Sequence, residues 1–253
     1  MKHPLTMHRP QLFPFLVSIY TTALVLRPVL VSKIIEIDGV IFPGALLVFP
    51  LSFVCNDIFS EVYGFERSRS IIWAGLLAQC LATFVIVLVS ILPSAAFWQH
   101  QAAFDQVLGQ SPRIAVASLV GYFFGELTNS MIISKMKFSQ NGMTGFRQVN
   151  RFVVSTIFGE LIDSFIFVSC AFYGIYPLAK IMTLILTTWI LKSVYEFAFL
   201  PLSTRLAEKV KELEQTNIID CPEDTDYRFF TNASYRGQSI EKSKLGKEIV
   251  ENI

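Results

Sequence analysis

Six stretches of roughly twenty apolar residues, separated by short polar knots, run through this chain and leave few folds open to it. They cover approximately Leu12–Ser32, Phe42–Gly64, Ser70–Leu92, Arg113–Ser134, Phe152–Ile175 and Ala179–Leu202. A hydrocarbon layer about 30 Å thick is crossed by about 20 residues of helix. Inside it, every unpaired backbone N–H or C=O is expensive, so each run is expected to be an α-helix. A transmembrane barrel would instead need strands of about ten residues with strict alternation of polarity, and none is present. The expected fold is an all-α membrane protein, a bundle of about six transmembrane helices around a polar central site. Three parts follow: an N-terminal arm (1–11), a transmembrane domain (12–205) and a polar tail (206–253). The tail begins as a charged helix and ends without apolar periodicity, so its end is expected to be disordered.

Composition excludes several classes. Hydrophobic residues make up 53% of the chain and charged ones 16%, against about a quarter charged in soluble domains. A net charge of +1 leaves no electrostatic footprint for nucleic acid. The four cysteines include no C-x-x-C pair, so neither a zinc knuckle nor a redox dithiol is expected. His3, His8 and His100 all lie outside the apolar runs. A Ser–His or His–metal centre within the membrane is therefore not expected, no phosphate loop or dinucleotide fingerprint occurs, and no cofactor is implied. Leu12 onward reads as a retained span, since no small-residue cleavage site follows it.

Basic residues orient the bundle. Lys2, Arg9, Arg67, Arg69, Lys135, Lys137, Arg147, Arg151, Arg205, Lys209 and Lys211 flank one side of the spans; Arg27, Lys33 and Lys180 flank the other. Both termini are expected in the cytoplasm, with Arg27 snorkelling to the headgroups. Between Pro93 and Pro112, the aromatic residues Phe97, Trp98 and Phe104 predict a short amphipathic helix at the outer interface.

The costly residues are the ionisable ones inside the runs: Asp57, Glu61, Glu126, Glu160, Asp163, Lys192 and Glu196. Each costs about 2.5–3.5 kcal/mol at mid-membrane if charged and unpaired, a total no ordinary stability margin absorbs. Their spacing gives the remedy. Asp57 and Glu61 are i, i+4, as are Lys192 and Glu196; Glu126 and Asn129, and Glu160 and Asp163, are i, i+3. Each helix thus carries one polar stripe, and four stripes turned inward would share a wet centre. Pro50 is expected to kink the second helix just before Asp57. Gly121, Gly125 and Gly159 are expected to allow close helix approach. A short repeat adds to this: Phe124–Ser130 reads FGELTNS and Phe158–Ser164 reads FGELIDS, identical at five of seven positions. Repeats meeting around a central site are a common carrier design.

Four ordered motifs carry a resemblance. NDIFSEVYG (Asn56–Gly64), SPRIAVASLVGYFFGEL (Ser111–Leu127), STIFGELIDS (Ser155–Ser164) and KSVYEFAFLP (Lys192–Pro201) together resemble the vitamin-uptake-like family of queuosine precursor transporters, over roughly residues 15–205. The resemblance implies an inner-membrane carrier, not an enzyme, importing 7-deazaguanine bases or the queuosine base for tRNA modification. Where that family commonly has Gln after the motif glycine, this chain has Glu126 and Glu160, and Asn129 stands where Asp is usual.

A guanine-like edge offers adjacent N–H donors that one carboxylate accepts together. Glu126 and Glu160 are therefore expected to flank the base, Asp57 and Asp163 to fix its polar edge, and Tyr122, Phe123 or Phe158 to stack on the ring. Lys192 would balance the acids; Glu61, Asn129 and Glu196 complete the candidate set. The bilayer and a small purine-like solute are the expected partners, and the sequence leaves homo-oligomer formation open. Three other readings stand beside this one: a carrier of another nucleobase-like or vitamin-like solute, a scaffold whose charges only pair helices, and an intramembrane hydrolase built on Asp57 and Asp163.

Overall fold

The computed structural model describes residues 12–38, 40–109 and 112–228. The expected arm 1–11, and the tail beyond residue 228 with its Asn232-Ala233-Ser234 glycosylation signal, lie outside the described residues. Helix α1 (Phe13–Leu30) opens with a proline in its first turn, where a missing N–H costs nothing. A two-stranded hairpin follows, β1 (Ile34–Ile37) antiparallel to β2 (Val40–Pro43), with Ile34 opposite Pro43. This hairpin is an addition to the helical expectation. Its signal was present in the sequence as β-branched residues on either side of Asp38-Gly39.

The second span is broken into pieces. A 3₁₀ turn (Gly44–Leu47) leads into α2 (Phe49–Ile58), which passes into a π-helical turn (Phe59–Tyr63). Pro50 does not kink this span as expected; it stands in the first turn of α2 and starts it. Helix α3 (Phe65–Ile91) crosses back, α4 (Gln101–Leu108) is the expected short helix between spans, and α5 (Pro112–Ser139), α6 (Phe146–Phe172) and α7 (Leu178–Glu214) complete the bundle. Among the described residues, six helical segments are long and apolar enough to span a membrane. The protein is a multi-pass membrane protein, and its apolar exterior fits that solvent. Leu77, Leu81, Phe84 and Leu88 form an exposed ridge on α3 at helical spacing.

We call the side where α1 begins and α7 ends the terminal face, and the other side the hairpin face. The expected domain end at 205 falls inside α7, which continues to Glu214 with Ala207, Val210 and Glu214 buried. Past it, residues 215–228 form a strap folded back across the terminal face. Ile218 N donates to the Val62 carbonyl at 3.1 Å. Asp220 Oδ2 accepts from Phe65 N at 2.8 Å and from Ser134 Oγ at 2.7 Å. Lys137 donates to the Ile218 carbonyl at 2.6 Å, and Arg69 to the carbonyls of Asp226 and Arg228. The Tyr227 ring packs on Phe65 with centroids 4.8 Å apart. Gly64 (φ +81°) permits this seating: a Cβ there would stand 2.7 Å from Asp220 Oδ1 and 2.9 Å from Ile218 Cγ2.

Burial pushes the Asp220 carboxyl above its ordinary range, against the opposing pull of its N–H and O–H donors and of Lys137. A raised carboxyl holds its proton more tightly in the docked strap than in a free chain. Its contribution to docking is therefore complete below the ordinary aspartate range and is lost as pH rises through the raised value. Amide hydrogen exchange over 215–228 should accelerate across that window beyond the intrinsic pH effect. Asp220→Asn should remove the extra acceleration; an unchanged profile in that variant would refute the assignment.

Candidate solute cavity

Helix α5 and helix α6 are antiparallel and closely packed, and the repeat noted in the sequence lies at their crossing. A Cβ on Gly125 would meet Asp163 Cβ at 2.7 Å and the Gly159 carbonyl at 3.0 Å; a Cβ on Gly159 would meet Asn129 Cβ and the Gly125 carbonyl, each at 3.1 Å. The contacts are reciprocal, 125 with 163 and 159 with 129, positions equivalent in the repeat. A local two-fold axis across the two helices therefore relates the FGELTNS and FGELIDS segments. Only glycine at both positions lets the backbones approach this closely.

This crossing forms one wall of a cavity of about 390 Å³, within the usual range for small-molecule sites. Its lining repeats every three to four residues on each helix: Ser118, Tyr122, Gly125, Glu126 and Asn129 from α5; Thr156, Gly159, Glu160, Asp163 and Phe167 from α6; Thr188, Lys192 and Glu196 from α7. Phe49, Ser52 and Phe53 of α2 supply an apolar wall, and Arg27 and Val31 of α1, with Pro43, Ala45 and Leu46, reach it from the hairpin face.

Most of the charged candidates meet here. Lys192 Nζ stands 3.0 Å from Glu160 Oε2 and also pairs with Asp163 Oδ2, so one cation of α7 bridges two acids of α6. Glu196, one turn on from Lys192, makes no ion pair with it among the described residues and lies instead beside the Glu160 carboxyl. Asp57 is buried one layer behind the lining, where its Oδ1 accepts from Asn129 Nδ2 at 3.2 Å. Glu126 lines the cavity and, among the described residues, makes no hydrogen bond or ion pair.

Three candidates stand elsewhere. Glu61 does not share the cavity with Asp57. Four residues of rise carry it about 6 Å toward the terminal face, and the π turn rewinds the chain there. It is fully buried among cations from three other helices. Arg151 Nε donates to it at 2.7 Å, Arg151 Nη2 and Lys211 Nζ both pair with its Oε1, and Lys137 caps its backbone carbonyl. Phe123 is not part of the lining and packs on Trp73 with centroids 4.7 Å apart. Phe158 is 50% exposed on the outer face of α6. The rings that line the cavity are Phe49, Phe53, Tyr122 and Phe167. Phe167 lies four residues after Asp163 and Phe53 four before Asp57, so helical spacing already marked both.

Between cavity and terminal face lie two closed layers. The first is a polar knot of Asn56, Ser60, Ser68 and Ser130, with Ser68 Oγ to Ser130 Oγ at 2.8 Å and Ser60 Oγ to Ser130 Oγ at 2.9 Å. The second is the Glu61 cluster with the strap over it. The cavity thus occupies the hairpin-side half of the bundle and ends blind toward the termini.

A six-helix membrane bundle enclosing a blind polar cavity is the architecture of a small-solute carrier. The chain belongs to the family described as "Putative vitamin uptake transporter", whose sequence profile matches residues 43–206, and it is accordingly a membrane transporter and not an enzyme. Two relatives carry the name "Probable queuosine precursor transporter". The protein of Bacillus subtilis (strain 168) is 27% identical over 173 residues, 68% of this chain and 74% of that one. The protein of Haemophilus influenzae is 27% identical over 131 residues, 50% of each chain. No solved structure matches.

Proposed function

We propose that this protein imports 7-deazaguanine precursors of queuosine, or the queuosine base itself, across the cell's inner membrane for tRNA modification. One observation carries the reading most: the acids of the two repeats, Glu126 and Glu160, come together in a cavity walled by Phe49, Tyr122 and Phe167. A flat heterocycle needs such rings for stacking. The N1–H and amino group of a guanine-like edge need a carboxylate that accepts both. The names of the two relatives support the same solute. Asn129 and Asp163 complete the polar edge, and Lys192 keeps the acids in balance. Arg67, Lys135, Arg147 and Lys209 flank the terminal face, which supports placing both termini in the cytoplasm. The blind cavity then faces outward.

A bacterial strain that cannot synthesise the precursor tests the proposal. With this gene present and nanomolar 7-cyano-7-deazaguanine outside, tRNA should acquire queuosine; without it, tRNA should stay unmodified. Equal modification in both strains would refute the reading.

A further inference from the structure

Most charges in this bundle are satisfied by others. Lys192 holds Glu160 and Asp163; Arg151 and Lys211 hold Glu61; Arg69 and Lys137 hold carbonyls. Two groups in the cavity lining break this pattern. Glu126 has no partner among the described residues. Arg27, expected to snorkel away to the headgroups, instead enters the lining, with Cζ 4.8 Å above the centre of the Phe49 ring. Among the described residues its guanidinium has neither a hydrogen bond nor an ion pair. The two feel one another electrostatically without forming an ion pair. A partly buried cation and a carboxylate that share a cavity and leave each other unbound present a solute with one unmet donor group and one unmet acceptor group.

That combination has a chemistry. The lining holds Phe49, with the Arg27 guanidinium over its ring, and the rings of Phe53, Tyr122 and Phe167, and such surfaces suit a planar solute. The guanidinium offers only donors and the carboxylate acceptors. A ring carbonyl next to an N–H and an amino group satisfies both at once: the carboxylate takes the two donors and the guanidinium takes the oxygen. We propose that Arg27 is a specificity-determining residue of this transporter, donating to the ring carbonyl of a lactam-type heterocycle whose N–H edge is held by Glu126. The assignment rests on the deazaguanine reading above and adds to it the group that tells a 6-oxo base from a base lacking that oxygen. Lysine in its place would keep the charge and lose the planar fork and the stacking on Phe49.

Binding to the purified full-length protein in nanodiscs tests this with two probes, 7-deazaguanine and 6-thio-7-deazaguanine, which keeps the N1–H and the amino group and replaces the carbonyl oxygen with a weaker acceptor, sulfur. Wild type should prefer 7-deazaguanine. Arg27→Gln should weaken 7-deazaguanine by about 10- to 100-fold, the size of a lost charged hydrogen bond. It should weaken 6-thio-7-deazaguanine much less, and that retained binding also shows that the variant is folded. Arg27→Lys should fall between wild type and Arg27→Gln. Equal weakening of both probes, or of neither, would overturn the assignment to Arg27 while the deazaguanine reading stood. A wild-type protein that binds neither base would overturn both.

Discussion

Glu61→Gln is expected to destabilise the protein more than any other isosteric change on the terminal face. The side chains of Glu61 and Arg151 are both 0% exposed, and that of Lys211 is 9% exposed. The carboxylate is the shared counterion of both cations. Arg151 is also fixed by Gln140 Oε1 at 3.0 Å and the Met143 carbonyl at 2.7 Å, so it cannot swing out to water without breaking the α5–α6 turn. An amide at 61 removes the negative charge and leaves its cations buried. Breaking a buried pair from one side costs about 3–5 kcal/mol, a large part of an ordinary folding margin. Thermal unfolding of the detergent-purified variant, beside an exposed control such as Glu212→Gln on the same face, should show a large drop for Glu61 and none for Glu212. Equal midpoints would mean the cluster is solvated and the layer open. The loss should appear in folding and abundance first, because Glu61 has no place in the cavity.

Lys192→Met is expected to have the opposite profile, with uptake lost and the fold largely kept. Methionine fills the same volume, and the side chain of Lys192 is 25% exposed to a cavity that admits water. Arg27 is the other cation of the lining, and among the described residues it pairs with neither Glu160 nor Asp163. Without Lys192, Glu160 and Asp163 face each other, with Glu196 and Glu126 lining the same cavity. A cluster of that kind either takes up protons or spreads apart, and both outcomes change the acceptors a solute would meet. The expected loss is at least about 100-fold in uptake of labelled precursor per inserted molecule, the size of two displaced charge-assisted hydrogen bonds to the solute. Lys192→Arg should recover part of it. Uptake per molecule equal to wild type would show that the cation is only a helix fastener.

The two profiles trace what the sequence could and could not tell. Spacing on a single helix is legible, because a residue's own face is fixed by 3.6-residue periodicity. Glu126 with Asn129, Glu160 with Asp163, and Lys192 with Glu196 were found that way, and Phe53 and Phe167 could have been. What lies opposite a face is not legible. Glu61 has the same spacing from Asp57 as Glu196 has from Lys192, yet its partners come from positions 151 and 211, far along the chain. Arg151 and Lys137 stood just beyond the expected span ends, where a basic residue ordinarily reads as a solvated orientation signal. Arg27, inside its expected span but near the end, reads as a side chain that snorkels to the headgroups. The strap had no local signature at all. It is polar and aperiodic, and its order comes from carbonyls caught by Arg69 and Lys137, side chains at the buried ends of other helices.

The reciprocal seating of Gly125 and Gly159 has a mechanical meaning. Two backbones in direct van der Waals contact have no slack between them, so α5 and α6 behave as a single plank that carries Glu126, Glu160 and Asp163 in fixed relation. Shape change during a transport cycle has to be absorbed by a part with joints. The second span, with a 3₁₀ entry, ten residues of α-helix and a π-turn exit, is a jointed rod lying against that plank. A rod bending at those joints would carry Asp57 away from its hydrogen-bond partner Asn129 on the plank, so their shared bond would be the first to part.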